Sequence, residues 1–151
     1  MSIMKIAICG SLDFIPEMKK MADELEHLGH TVLLPKSAEM VVAGETTMEE
    51  IKKDTEGGKG VERKIKIDAI KRHYNKIADS DGVLVLNYSK KGIENYIGGN
   101  TFLEMGFAHV LNKKIFLLNP VPNMLYTDEL LAMQPIILNR NLLTIREIVN
   151  P

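Results

Sequence analysis

Gly82-Val83-Leu84-Val85-Leu86 is an unbroken apolar run between two polar breaks, Asp79-Ser80-Asp81 before it and Asn87-Tyr88 after it. Such a run reads as a strand buried on both faces. Outward from it the pattern alternates. Upstream, Ile67, Ile70, Tyr74 and Ile77 recur at helical spacing. Downstream, Ser89 to Gly99 is a loop carrying Gly92, Gly98 and Gly99. Leu103, Phe107, Val110 and Leu111 then mark a helix, and Ile115 to Leu118 the next strand. Further out, Met4 to Cys9 is a short apolar run, broken by Gly10-Ser11-Leu12-Asp13. Ile15, Met18, Ala22 and Leu25 predict a helix with Pro16 in its first turn and Gly29 past its end. Thr31 to Leu34 is β-rich and stops at Pro35. Beyond the rigid Asn119-Pro120-Val121-Pro122, the pattern predicts a short helix at Leu125 to Met133, a strand at Ile136 to Leu138 and a last helix at Thr144 to Val149.

Residues 36–62 break the rhythm. They are polar, Gly57-Gly58-Lys59-Gly60 is loop-like, and Val41-Val42-Ala43 is the one apolar run. A connection this long is functional or mobile. It reads as a flexible excursion, a lid with a short helix at Met48 to Lys53. The whole predicts one α/β domain over residues 1–151: a five-stranded parallel sheet with helices on both faces, in the flavodoxin-like (Rossmann-like) order 2-1-3-4-5. Ligands of such sheets bind beyond the carboxyl ends of the strands, where the order reverses. That places Cys9-Gly10-Ser11 and Asn87-Tyr88 at the site, with the loop into Asn100 beside them.

Composition narrows the function. With 151 residues, 45% hydrophobic and 26% charged, the chain is an ordinary globular domain able to bury a core without metal or disulfide staples. Nineteen basic against twenty acidic residues lack the excess that nucleic-acid polymers demand. One cysteine, no membrane-length apolar run and no signal peptide predict a soluble cytoplasmic protein.

Several motifs fail on inspection. Gly58-Lys59-Gly60 lacks the Ser or Thr of a P-loop, and the first loop lacks the glycines of a dinucleotide fingerprint. Ser11 has no nucleophile-elbow context. His27, His30, His73 and His109 do not sit with Cys9 or carboxylates at metal-ligand spacing, so no metal is expected, and His27 and His30 read as surface residues.

Gly98-Gly99-Asn100-Thr101-Phe102-Leu103-Glu104 is more telling. Glycines admit a ligand to the backbone, and first-turn amides favour an anion. Glu104 follows Asn100 by four residues, on one face. Thr101 to Glu104 also fits a capping box, in which Glu104 in the first turn accepts from the Thr101 amide. Both readings stand. The start of this helix at the switch-point cleft favours a carboxylate facing a ligand.

Three stretches resemble the nucleoside 2-deoxyribosyltransferase superfamily, which includes the deoxynucleoside 5′-phosphate N-hydrolases. They are Ile6-Ala7-Ile8-Cys9-Gly10-Ser11, Asp79-Ser80-Asp81-Gly82-Val83-Leu84-Val85, and Glu104-Met105-Gly106-Phe107-Ala108 with Lys113-Lys114-Ile115. The resemblance implies that Glu104 is a nucleophile attacking the anomeric carbon of a nucleoside or nucleoside 5′-monophosphate. A glycosyl-enzyme forms and is resolved by water or a second base. Glu104 must then be ionised, with an ordinary pKa. No cofactor is required. The resemblance also implies a homodimer or larger homo-oligomer, for which Asn139 to Ile145 offers apolar surface.

The sequence departs from the family at two places. Gly98 stands where transferases carry a base-recognising Asp, and His73 where they carry an acid. Hydrolysis is therefore favoured over base transfer. Substrate contacts are expected from Gly10, Ser11, Asp81, Asn87, Tyr88, Gly98, Gly99 and Asn100. His73 reads either as an acid for the leaving base or as an exposed helix residue beside Arg72. Asp81 reads as a ligand or as a strand-entry cap, and Tyr88 and Tyr96 as base contacts or packing. Two other functions fit the same residues. One is a non-catalytic nucleotide-binding or sensing module. The other is a phosphoribohydrolase resembling the lysine-decarboxylase-like family, whose glycine-rich run into a glutamate is partly present here.

Overall fold

The computed structural model describes residues 3–149. Five parallel strands form one sheet in the order β2-β1-β3-β4-β5, as the alternation predicts. They are β1 (Lys5–Cys9), β2 (Thr31–Leu33), β3 (Gly82–Val85), β4 (Lys114–Leu117) and β5 (Ile136–Ile137). Ile6 pairs Val32 on one side, and Ala7 pairs Val83 on the other. The chain thus reverses direction across the sheet between β1 and β3. Gly82 is required at its position: a Cβ there would lie 2.9 Å from the Lys114 carbonyl oxygen.

Side chains alternate between two cores with the period-two geometry of strands. Ile6, Ile8, Leu84 and Phe116 meet Met18, Ala22 and Leu25 of α1 (Ile15–His27), joined by Ile145 of the last helix. Ala7, Cys9, Val83, Val85 and Leu117 meet Ile77, Met105, Ala108 and Leu130. These come from α5 (Ala69–Ala78), α6 (Gly99–Val110) and α7 (Thr127–Ala132). Helices therefore cover both faces. No helix among the described residues is long and apolar enough to cross a membrane.

The polar excursion is helical. It folds as α2 (Lys36–Val42), α3 (Met48–Glu56) and α4 (Gly60–Lys66), of which only the middle one was expected, and that one runs three residues further. Apolar periodicity missed the other two because they bury little, chiefly Ser37 and Ala38 in α2. Capping and charge hold the segment. Thr47 Oγ1 accepts from the Glu50 amide at 3.2 Å, and Arg63 donates to Ser37 Oγ at 2.9 Å. Lys76 pairs with Glu39 and donates to the Leu34 carbonyl at 2.6 Å.

Two surface assignments are corrected. His30 is buried, its Nδ1 accepting from the Met4 amide at 3.2 Å. In the tail, Leu142 and Ile145 are spent on the chain's own core, which leaves only Leu143 of its leucines and isoleucines exposed, at 50%. The last helix, α8 (Leu143–Val149), starts inside this stretch and follows the predicted helix closely. Exposed apolar side chains lie elsewhere too, among them Leu103 and Val110 on α6 and Val61 and Ile65 on α4.

Candidate active site

α6 begins earlier than a capping box would have it. Gly98 is its N-cap, and Gly99, Asn100 and Thr101 are already helical. Thr101 is buried inside the first turn, and Glu104 is the sixth helical residue, too far along to bond the end it was expected to cap. The capping-box reading is overturned, and with it the placement of Glu104 in the first turn. Gly98 caps in an extended conformation with no side-chain hydrogen bond, so the first-turn amides have no side-chain acceptor at the cap.

The inner face of α6 is Thr101, Glu104, Met105 and Ala108. Glu104 thus occupies a core-facing position, where an ionisable group is expensive unless it has partners. Its partners come from two other elements. On α5, His73 shares the inward face with Ile77, one turn on. At the carboxyl end of β1, Cys9 points to the same side. His73 Nε2 lies 3.6 Å from Glu104 Oε2 and 3.5 Å from Cys9 Sγ. All three side chains are buried, His73 at 3% exposure against the exposed position one reading gave it. Cys9, alone in sequence, is not alone in the fold.

Burial sets the protonation of the cluster. It pushes the Glu104 carboxyl up to about 8, against the opposing pull of Lys64 and of a hydrogen bond from Cys9. The ordinary pKa expected of a nucleophile is therefore absent in this state. Burial first, and then the charge of Lys76, lowers His73 to about 4. The Cys9 thiol is raised well above its usual value by burial and then by the Glu104 charge. Burial thus favours the uncharged form of all three groups, as a dry site does.

Two spaces adjoin the cluster. A cavity of about 40 Å³ touches Glu104 and His73 directly and is also lined by Ser37, Lys64, Ile67 and Asn100. It has room for a water but not for a pentose. A cleft of about 400 Å³ lies beyond, between Gly10-Ser11, the Gly98-Gly99-Asn100 helix start and Arg63 and Lys64 of α4. Leu12, Lys64 and Asn100 border both spaces. Lys90 enters the cleft wall, donating to Ser11 Oγ at 2.8 Å and pairing with Asp13 at 2.9 Å. α4 thus roofs the site, and Asp68, between α4 and α5, holds a left-handed φ of 50°.

Of the expected contacts, Gly10, Ser11, Gly98, Gly99 and Asn100 line the cleft. Tyr96 does too, its ring against Gly98. Asp81 does not. It stands at the opposite, amino end of β3, where its carboxylate accepts from the Lys5 amide at 2.7 Å, so the strand-entry reading holds. Asn87 is buried in a clamp: it donates to the Asn119 carbonyl at 2.8 Å and accepts from the Asn119 amide at 2.9 Å, leaving little for a ligand. Tyr88 packs edge-on against Phe14 at 5.2 Å, under the Arg140 guanidinium. Arg63, Lys64 and Lys90 were missed. Their one sequence signal is a basic residue in the loops and helix flanking a glycine-rich turn.

Comparison with known proteins is sparse. No family model matches the chain. No curated protein matches it. Among solved structures it is similar to a 2-deoxyribosyltransferase from the psychrotolerant bacterium Bacillus psychrosaccharolyticus, at 16% identity and a TM-score of 0.48, over 80% of this chain and 76% of that one.

Proposed function

We propose that the protein cleaves the N-glycosidic bond of a nucleoside or nucleoside 5′-monophosphate. The Glu104 carboxylate attacks C1′, the C1′–N bond breaks, and the base leaves with its electron pair. Water, or a second base, then displaces Glu104 from the sugar. The observation that carries the reading is the position of Glu104: a buried carboxyl on the inner face of α6, behind a glycine-rich helix start and a cleft carrying Arg63 and Lys64. A negative charge there stabilises an oxocarbenium-like transition state. Helix amides and cations in the cleft suit a phosphate or a sugar hydroxyl. His73 Nε2, 3.6 Å from Glu104 Oε2, is placed to orient the carboxylate once it has ionised.

The reading requires α4 to withdraw, because the 40 Å³ cavity beside Glu104 holds no pentose. Asp68 is the natural hinge, since it adopts a conformation sparsely populated by residues other than glycine.

The same closed cavity and the protonated carboxyl favour a second reading, a module that binds a nucleotide in the cleft without cleaving it. One experiment separates the two. Ribo- and deoxyribonucleosides and their 5′-monophosphates are incubated with the protein and with Glu104→Ala, and free base is followed by chromatography. Base release by the parent and none by the variant supports the glycosidase. Ligand-induced thermal stabilisation without base release supports the module.

A further inference from the structure

We propose that Cys9 Sγ, His73 Nε2 and a Glu104 carboxylate oxygen form a three-ligand site for a zinc-class divalent cation, and that a cation held there withdraws Glu104 from glycosidic chemistry. The first half stands on geometry alone. The second rests on the function proposed above.

The three donors come from β1, α5 and α6, and their ligand atoms all lie within 4.8 Å of one another. The two measured separations are 3.5 Å from sulfur to nitrogen and 3.6 Å from nitrogen to oxygen. Tetrahedral zinc, with Zn–S of about 2.3 Å and Zn–N of about 2.0–2.1 Å, holds neighbouring ligand atoms roughly 3.3–3.7 Å apart. These two separations match a tetrahedral edge, and the third, sulfur to oxygen, lies within 4.8 Å. The donor set also selects the metal: a thiolate with an imidazole suits zinc, where magnesium and calcium prefer oxygen alone.

Charge balance favours occupancy. As the metal–sulfur and metal–oxygen bonds form, the thiol and carboxyl protons leave to solvent. Two positive charges then meet one thiolate, one carboxylate and a neutral ring, so the buried site stays neutral overall. The 40 Å³ cavity against His73 and Glu104 has room for a water as fourth ligand, as in zinc sites with three protein donors. Lys64 borders that cavity and opposes a cation, but it is exposed on α4 and screened by solvent.

The test uses the full chain, stripped with a chelator and titrated with Co²⁺ as a spectroscopic probe. The expected result is a thiolate-to-cobalt charge-transfer band and the strong visible bands of a tetrahedral ion. They saturate at about one equivalent and are bleached by zinc. Cys9→Ser should abolish the charge-transfer band. His73→Ala and Glu104→Gln should weaken binding by more than the roughly 10- to 100-fold that loss of a supporting group costs. Only the weak spectrum of octahedral cobalt with the parent protein would overturn the site, whatever the variants do. A charge-transfer band surviving in folded Cys9→Ser would overturn it as well. For the second half, base release should fall at least about tenfold at saturating zinc and recover with chelator. Undiminished release at saturating zinc overturns the withdrawal of Glu104. A tetrahedral cobalt spectrum with no base release under any condition overturns that half and the glycosidic reading, and leaves the metal site standing.

Discussion

His73 Nε2 sits 3.6 Å from Glu104 Oε2, and burial disfavours the charged form of both groups. An exposed pair at this distance would be an ion pair. Here the cost of desolvating both charges exceeds their attraction. The consequence is a carboxyl that stabilises the fold only while it keeps its proton.

Glu104→Gln should therefore gain on the parent as pH rises. The folded pKa of about 8 lies above the ordinary 4.5, so the protonated carboxyl contributes in full below about 4.5 and its contribution is gone above about 8. At about 1.4 kcal/mol per pKa unit, the whole change is a few kcal/mol. His73 runs the other way. Its folded value of about 4 lies below the ordinary 6.5, so its contribution is present above 6.5 and lost as pH falls through 4. Above pH 6.5 that contribution is complete, so the change in the gap from there to pH 8 belongs to Glu104. Thermal melts of both in chelator, from pH 5 to 8.5, should show the gap in Tm widening steadily. A constant gap would mean that Glu104 is ionised throughout.

The rate of base release should follow the same group. If the ionised carboxylate is the nucleophile, kcat/KM in chelator rises about tenfold per pH unit below 8 and levels off above it. A profile already flat at pH 6 would show that substrate binding, not pH, deprotonates Glu104.

The sheet order and its strands were legible because apolar runs bounded by turn residues admit few alternatives. β3 shows this well, with Val83, Leu84 and Val85 all fully buried. Glu104 was legible as a residue but not as an environment. Its spacing from Thr101 mimics a cap, and only the helix starting at Gly99 makes it face the core. Cys9 and His73 are 64 positions apart, and their meeting follows from α5 packing across β1, which no local pattern encodes. On α5 and α6 the apolar positions located the helices but only part of their inward faces. Ile70, Leu103 and Val110 point outward, while a histidine and a glutamate point in. Such exceptions to the local rule arise where chemistry can displace packing.

Asn87→Ala should cost stability, not ligand affinity. Its side chain makes hydrogen bonds to the Asn119 amide, the Asn119 carbonyl and the Pro120 carbonyl, tying the end of β3 to that of β4. Removing it strands buried backbone groups, at about 2–4 kcal/mol in all. Urea denaturation should show a lower midpoint with an unchanged m-value. An unchanged midpoint with weakened nucleotide binding would return Asn87 to the ligand site.

Lys64→Ala should reveal what the cleft recognises. Lys64 lies on the border between the cleft and the cavity at Glu104, with no carboxylate in salt-bridge range among the described residues. If a 5′-phosphate sits in the cleft, the variant loses about tenfold in affinity for a nucleoside monophosphate, the size of one charge-assisted contact, and nothing for the nucleoside. Added salt should shrink that difference, because the residue is exposed. The same substitution carries a second signature. Lys64 pulls the Glu104 pKa down, so removing it moves the pH profile of base release to higher pH. A phosphate contact remote from Glu104 would change affinity and leave the profile in place. Movement of both together would put the phosphate-binding charge and the nucleophile in one site.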